Sequence, residues 1–181
     1  MTELTSGLYL GDYENANNEK WLKNHHITHI VNSAVEHKNY FPRQFKYLTL
    51  KLEDSPSQSL YHILEKSYNF IDKAIEGGGK VLVHCHAGIS RSSSIVIYYL
   101  MKKYSMTLAQ AYSFVKSKRK IIDPNEGFMK QLFSVTPEVI NMSKVPQSPT
   151  HPYIIHASQK KRYDNPRYIE SKAELLRRIN K

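Results

Sequence analysis

The stretch VLVHCHAGISRSSS, residues 81–94, holds the single cysteine of the chain, Cys85, between an apolar run and a glycine-containing loop. The apolar run predicts a buried strand, and the apolar residues after Ser92 predict a helix. A strand, a loop with glycine and a helix in this order form a recurrent anion site. The N–H groups at a helix start have no partner within the helix, and the helix dipole adds positive potential there. The stretch therefore predicts an anion site on a framework of strands and helices.

Two side chains of this stretch give the predicted site its chemistry. Cys85 stands at the start of the loop, where N–H groups that attract an anion also stabilise a thiolate. Arg91 stands at the closing end of the loop, and its guanidinium fork suits a tetrahedral oxyanion. Together they predict in-line attack of sulfur on phosphorus. The ordinary alternative for a lone cysteine is burial as a small apolar side chain.

Strand-like and helix-like segments alternate on both sides of this stretch. Strands are predicted over residues 8–10, 27–32, 45–52 and 80–84, the first of them at a sheet edge. Helices are predicted over residues 15–26, 60–76, 92–104, 107–117 and 125–142. This alternation indicates an α/β fold.

A phosphate ester needs a proton for its leaving oxygen, and topology selects Asp54 as the carboxylic acid that supplies it. Strand 45–52, helix 60–76 and strand 80–84 predict a β-α-β unit with parallel strands. Asp54 and Cys85 then leave the sheet at neighbouring carboxyl ends, where ligands of α/β proteins bind. The alternative for Asp54 is an ordinary turn residue in its Ser/Pro loop.

The run HCHAGISRS, His84–Ser92, resembles the phosphate loop of cysteine-dependent protein phosphatases, in the form found in the dual-specificity subgroup. The other matching segments are LYLG at 8–11, ITHIVN at 27–32, Asp54 and PNEGF at 124–128, so that the resemblance covers about residues 4–140. It implies a three-layer α/β fold with a central mixed, mostly parallel sheet of about five strands flanked by helices. It also implies a protein phosphatase that hydrolyses phosphotyrosine and phosphoserine or phosphothreonine through a phosphocysteine intermediate.

The resemblance assigns roles to the residues around the cysteine. The phosphate-binding loop would consist of His86, Ala87, Gly88, Ile89, Ser90 and Arg91. Ser92 would help the sulfur leave the phosphocysteine, and Asn125 would support the loop, although both also suit helix caps. His84 would hydrogen-bond near the thiolate, and His86 would lie at the loop surface. The segment KRK at 118–120 departs from the family pattern, which often has proline there, so the local loop path stays open.

Other functions remain open at this point. One alternative is a phosphatase for a non-protein substrate, such as a phosphoinositide or an RNA 5′-phosphate. Another is a non-catalytic phosphate-binding module, although such relatives usually lose the cysteine or the arginine, and both are present. A zinc site built on His84 and His86 is not expected, because zinc needs three or four ligands and no second His/Cys cluster has suitable spacing. No cofactor is expected.

Charge and proline content divide the chain into a catalytic domain, residues 1–142, and a Pro-containing basic C-terminal extension, residues 143–181. The pattern after Asn165 favours a terminal helix. From residue 142 onward the chain carries +6 of its net charge of +10. The extension could therefore contact an acidic partner or a membrane surface, whereas nucleic acid is not expected as a partner of the domain.

The remaining composition concerns location. No apolar run reaches the roughly 20 residues that a membrane-spanning helix needs, and the opening MTELTSGLYL has no basic region followed by an apolar stretch. A single cysteine cannot form an intrachain disulfide, and a free thiol suits a reducing compartment. We therefore expect a cytoplasmic or nuclear protein.

Overall fold

The computed structural model describes residues 1–135, and the structural statements below concern this part of the chain. Its strands are β1 (Thr2–Thr5), β2 (Leu8–Gly11), β3 (His29–Ala34), β4 (Lys46–Leu52) and β5 (Val81–His84). Its helices are α1 (Tyr13–Ala16), α2 (Glu19–Asn24), α3 (Tyr61–Glu76), α4 (Arg91–Lys103), α5 (Leu108–Lys118) and α6 (Glu126–Ser134). The predicted boundary at residue 142, the basic extension and its terminal helix lie outside the described residues.

The five strands form one sheet in the order β1-β2-β5-β3-β4. β1 is antiparallel to β2, and the other neighbouring strands are parallel. The predicted fold, a mixed and mostly parallel sheet of about five strands flanked by helices, is confirmed.

Two details of the predicted topology are wrong. Residues 8–10 do not lie at the edge, because the short, largely polar segment Thr2–Thr5 pairs outside them as β1. β4 and β5 are not neighbours, because β3 lies between them and the connection through α3 passes over it. The carboxyl ends of β3, β4 and β5 nevertheless share one edge of the sheet, which is where the residues after each strand meet.

The sheet buries both of its faces, and the alternation of side chains along each strand sorts them. Val81 and Val83 of β5 belong to the larger apolar cluster, which they share with buried residues of α3, α4, α5 and α6. Leu82 points to the other face, where it joins a smaller cluster with Ala16 of α1 and Leu22 of α2. Helices therefore cover the sheet on both sides, as the three-layer prediction requires.

The helices differ from the predictions at two places. Helix α6 ends at Ser134, with Val135 as its C-cap, whereas the sequence predicted a helix that continues to residue 142. The segment predicted as one helix over 15–26 forms two short helices. Asn17 is the C-cap of α1, and Asn18 is the N-cap of α2, where its side chain accepts from Trp21 N–H at 2.9 Å. The segment after the cysteine loop forms α4, where every residue from Arg91 to Met101 is buried. Among residues 1–135, no helix has both the length and the apolar character needed to cross a membrane.

Candidate active site

Cys85 follows β5 directly, and its side chain is buried beneath the loop of residues 86–90. The N–H group of Gly88 donates to Sγ at 3.3 Å, and the Ser92 hydroxyl lies 3.2 Å from the same sulfur. Gly88 has φ +66°, and a Cβ there would lie 2.6 Å from the carbonyl oxygen of Gly11. Glycine therefore lets the loop turn tightly enough for a backbone donor to face the sulfur.

Arg91 begins α4, and its side chain is only 7% exposed. Its Nη1 and Nη2 atoms donate to the two carboxylate oxygens of Glu36 at 2.6 and 2.7 Å, and Nη1 also donates to the Leu52 carbonyl at 3.1 Å. The hydrogen bonds from Arg91 lower the pKa of Glu36 to about 2, so that this carboxylate stays ionised near neutral pH. Arg91 Nε, in contrast, has no hydrogen-bond partner within residues 1–135. A buried donor without a partner is costly, which leaves Nε available to an incoming anion.

Asp54 lies in the loop after β4, with its carboxylate on the Arg91 side. Its Oδ1 accepts from the Ser90 hydroxyl at 2.6 Å and from the side-chain amide of Asn125 at 2.9 Å. Its Oδ2 lies 3.8 Å from Arg91 Nε and accepts no hydrogen bond from residues 1–135. The structure therefore brings Asp54 to the loop that follows Cys85, although β4 and β5 are not neighbours.

Asn125 has both of the arrangements that its sequence position suggested. Its Oδ1 accepts from Phe128 N–H at 2.9 Å, which is the N-cap of α6, while its Nδ2 donates to Asp54. Its own backbone N–H donates to the Ser90 hydroxyl at 3.1 Å. The side chain therefore fixes the start of a helix and holds the Asp54 loop, while the backbone N–H of the same residue contacts the cysteine loop.

His84 is the last residue of β5 and is fully buried. Its Nδ1 lies 3.2 Å from the carbonyl oxygen of Cys85, and its Nε2 has no hydrogen-bond partner among the described residues. Burial lowers the pKa of His84 to about 4, so the ring is neutral at physiological pH. Within residues 1–135, the ring therefore makes its hydrogen-bond contact with the backbone of Cys85 and not with the sulfur.

His86 opens the loop and is exposed at its rim. Its Nδ1 lies 2.9 Å from Nε2 of His37, and its ring lies nearly parallel to that of Tyr13 with 5.0 Å between the centroids. The His86 carbonyl accepts from the Tyr13 N–H at 3.0 Å. This residue therefore lies in a cluster of rings at the entrance, formed by three separate segments of the chain.

Arg119 holds the loop from its outer side. Its Nε donates to the Gly88 carbonyl at 3.0 Å, and its Nη2 donates to the Ala87 carbonyl at 3.2 Å. The same Nη2 lies 3.3 Å from the Asp12 carboxylate, whose other oxygen caps α1. Because these carbonyls are tied outward, the N–H groups of the same loop are free to face the opposite direction, towards the sulfur.

Sequence analysis missed Glu36 and Arg119. Glu36 follows β3, so the argument that selected Asp54 after β4 would also have selected Glu36 once β3 is known to lie between β4 and β5. Arg119 lies in the KRK segment where the family pattern was seen to depart, and no spacing rule connects that segment to residues 87 and 88. The departure of KRK from the family pattern is the only signal that the sequence offered for Arg119.

Comparisons with known proteins agree with this geometry. Residues 8–137 match the family described as "Dual specificity phosphatase, catalytic domain". The chain is 46% identical over 125 residues to a probable rhodanese domain-containing dual specificity protein phosphatase of Dictyostelium discoideum, a match that covers 69% of this chain and 26% of that protein. It is 44% identical over 129 residues to dual specificity protein phosphatase 1 of Arabidopsis thaliana, covering 71% of this chain and 65% of that protein.

Among solved structures, the human tyrosine phosphatase-like serine/threonine/tyrosine-interacting protein is 38% identical, with a TM-score of 0.71 over 74% of this chain and 93% of that chain. The match spans less than two thirds of the Dictyostelium and Arabidopsis proteins, so it concerns the domain that these proteins share with the chain. The family expected from HCHAGISRS is confirmed. The chain belongs to the dual-specificity protein phosphatase family, and residues 8–137 are its catalytic domain.

Proposed function

We propose that this domain hydrolyses phosphotyrosine and phosphoserine or phosphothreonine in proteins through a phosphocysteine intermediate. One observation carries the proposal: the sulfur of Cys85 faces the Gly88 N–H and the Ser92 hydroxyl, and the same loop ends at a buried arginine whose Nε has no hydrogen-bond partner among residues 1–135. A phosphate group in the loop would meet a nucleophile on one side and an arginine donor on the other. Arg91 and the loop N–H groups would then stabilise the charge that develops on the phosphoryl oxygens.

In the first step, the Cys85 thiolate attacks phosphorus, so that an S–P bond forms while the bond to the leaving oxygen breaks. Asp54 donates its proton to that oxygen. Both hydrogen bonds to Asp54 reach Oδ1, which leaves Oδ2 as the oxygen that can carry the proton. A bound phosphate dianion favours this protonation, because it places negative charge beside the carboxyl group and engages the nearby Arg91.

In the second step, a water molecule attacks phosphorus, and Asp54 takes its proton. The S–P bond breaks, and the sulfur leaves as a thiolate. The Ser92 hydroxyl, 3.2 Å from Sγ, can donate a hydrogen bond to the charge that develops there. Ser92 lies in the first turn of α4, but Ser90 occupies the N-cap position. The Ser92 hydroxyl faces the sulfur instead of capping the helix.

Dual specificity is supported by the family and by the short connection between β3 and β4. Residues 35–45 link these strands, with Glu36 and Asp54 partly exposed at the site. A shallow entrance admits the short side chains of phosphoserine and phosphothreonine as well as the longer phosphotyrosine. We also propose that the catalytic domain comprises residues 1–142 and that the protein is cytoplasmic or nuclear.

The test is turnover of a panel of phosphotyrosyl peptides, phosphothreonyl peptides and phosphoinositides by the full chain. We expect release of phosphate from both kinds of peptide and none from the Cys85→Ser variant, which keeps the fold but has no thiolate. Turnover of phosphoinositides alone would refute the protein substrate. Wild-type turnover by Cys85→Ser would refute the mechanism.

The likeness to a phosphatase-like interacting protein gives a second candidate, a domain that binds phosphorylated partners without hydrolysing them. The same panel separates the two functions if binding is measured beside turnover. Peptide binding by the wild-type chain with no phosphate release at any pH would support the binding module and refute the enzyme.

A further inference from the structure

Three side chains at the entrance of the site form a cluster suited to a metal ion. Glu36, His37 and His86 each offer one ligand atom, and these atoms lie within 4.8 Å of one another. Glu36 and His37 follow β3, whereas His86 opens the cysteine loop 49 residues later, which is why sequence spacing gave no sign of the cluster. His84 is not part of this cluster, because it is buried against the backbone of Cys85.

The distances fit a zinc ion with small side-chain movements. His37 Nε2 and His86 Nδ1 lie 2.9 Å apart, at hydrogen-bond distance, so one proton is shared between them. Ligands of a tetrahedral Zn²⁺ at about 2.0–2.1 Å lie about 3.3 Å from each other, so the two rings need to separate by a few tenths of an ångström. When the ion binds, the ring that donates this hydrogen bond changes tautomer: its proton moves to its other ring nitrogen, so that both facing nitrogens offer a lone pair to the ion. Two histidines and a carboxylate are a ligand set that zinc takes in proteins.

The ligands are held in place by neighbours outside the cluster. The Tyr40 hydroxyl lies 3.0 Å from Nδ1 of His37, the ring nitrogen that does not face His86. The side-chain amide of Asn32 donates to the His37 carbonyl at 2.8 Å, which fixes the turn after β3. A hydrogen bond at the other ring nitrogen sets the tautomer and orientation of a ligating histidine.

Glu36 connects this cluster to the catalytic machinery. Its two oxygens accept from Arg91, but each carboxylate oxygen has two acceptor positions, so one remains for a metal ion. The carboxylate, 41% exposed, would lie between the guanidinium and the ion and screen one cation from the other. Glu36 and His86 are exposed and His37 is partly exposed, so the ion can enter from solvent and keep an open coordination position.

We propose that Glu36, His37 and His86 form an inhibitory zinc site at the entrance of the phosphatase site. A bound ion shares the Glu36 carboxylate with Arg91 and weakens its hold on the guanidinium, and it moves His86, the first residue of the phosphate loop, a few tenths of an ångström away from His37. Both changes disturb the groups that are to hold the substrate phosphate. The binding of zinc stands on the cluster alone, whereas the inhibition rests on the proposed function.

The binding test uses the Cys85→Ser chain without a histidine tag, because this variant has no thiolate that could bind zinc in the pocket. Calorimetric titration with Zn²⁺ should show one ion per chain, with a dissociation constant in the micromolar range. His37→Gln, and independently His86→Asn, in the same background should weaken binding by about tenfold or more. His62→Gln is the matched control, since His62 is exposed on α3, and it should bind as the parent does.

Activity gives a separate readout. Turnover of p-nitrophenyl phosphate by the wild-type chain should fall as Zn²⁺ is added and return with a chelator, and His37→Gln should need correspondingly more zinc. Loss of binding in Cys85→Ser, or equal affinity in both histidine variants and their parent, would overturn the site. A chain with no turnover before zinc is added would refute the proposed function, and the calorimetric result would still decide the zinc site.

Discussion

Acid should destabilise this fold through His84 in particular, because the ring is buried at the end of β5 with no exposed surface. Burial lowers the pKa of His84 to about 4, against 6.5 for the unfolded chain. Smaller influences come from the Cys85 carbonyl and Asp12, which favour the proton, and from His37 and Arg91, which oppose it. The native state therefore takes up the proton only at a lower pH than the unfolded state does.

The sign and the size follow from these two values. Above pH 6.5 the ring is neutral in both states, and His84 adds no pH dependence. Between pH 6.5 and 4 only the unfolded chain takes up the proton, so the free energy of unfolding decreases as pH falls through this window. Each pH unit is worth about 1.4 kcal/mol, which gives about 3 kcal/mol in total, most of it lost by pH 4.5. Since domains of this size are stable by about 5–15 kcal/mol, the loss is large.

Urea unfolding between pH 7.5 and 4.5 measures this effect if wild type is compared with His84→Gln, a variant that cannot take up a proton. Circular dichroism is the better probe, because the ring of Trp21 stacks on His25 at 3.5 Å and its fluorescence would respond to that histidine. We expect the variant to start less stable at pH 7.5 and to lose about 3 kcal/mol less than wild type on acidification. His62→Gln should follow the wild-type curve.

Some pH dependence will remain in the variant. Burial also lowers the pKa values of His29 and His37, which act in the same direction and in both proteins. The lowered pKa of Glu36 stabilises the fold above pH 4.5 and loses this contribution as pH falls towards 2, below most of the window. The difference between the two curves therefore isolates His84. Parallel curves for wild type and His84→Gln would refute a neutral, buried His84.

Three further substitutions test the site. Ser92→Ala removes the hydroxyl beside the sulfur and should slow hydrolysis of the phosphocysteine about 10–100-fold. Because the first step stays fast, stopped flow should show a burst of p-nitrophenol. A burst that is slowed by the same factor as steady turnover would contradict this role. Gly127→Ala would place a Cβ 1.9 Å from the Pro56 carbonyl oxygen, so thermal unfolding should show a loss of about 1–3 kcal/mol, and an unchanged melting temperature would contradict the contact. Arg119→Ala frees the Ala87 and Gly88 carbonyls and should weaken product inhibition by phosphate about tenfold; unaltered inhibition would show that the loop keeps its shape without Arg119.

The sequence predicted those parts of the site that depend on local order along the chain. Cys85, Gly88 and Arg91 belong to one strand, one loop and one helix start, and their relation is fixed within a few residues. The larger part of the fold could be predicted for the same reason, since alternating strands and helices define each element and most of its bounds. The β-α-β pattern also predicted that β4 and β5 are parallel, which places Asp54 and Cys85 at the same edge of the sheet.

The order of strands could not be predicted, because a right-handed crossover fixes the hand of a β-α-β unit but not how many strands it passes over. Here α3 passes over β3, which inserts the segment after β3 between Asp54 and Cys85. That segment supplies Glu36, whose carboxylate holds Arg91, and His37, which meets His86. Of the two residues that sequence analysis missed at the site, Glu36 is therefore the one that this strand position brings there, whereas Arg119 follows α5.

The arrangement of Asp54 shows why its placement does not depend on adjacent strands. Its Oδ1 accepts from Ser90 of the cysteine loop and from Asn125 at the start of α6, so two donors hold the acid loop against the phosphate loop. On the other side of that loop, Gly127 allows the Pro56 carbonyl to approach the first turn of α6 more closely than any side chain would permit. The loop is thus fixed at both flanks by contacts within the protein. In the proposed mechanism, the cap of α6 and the geometry of proton transfer from Asp54 therefore depend on the same asparagine.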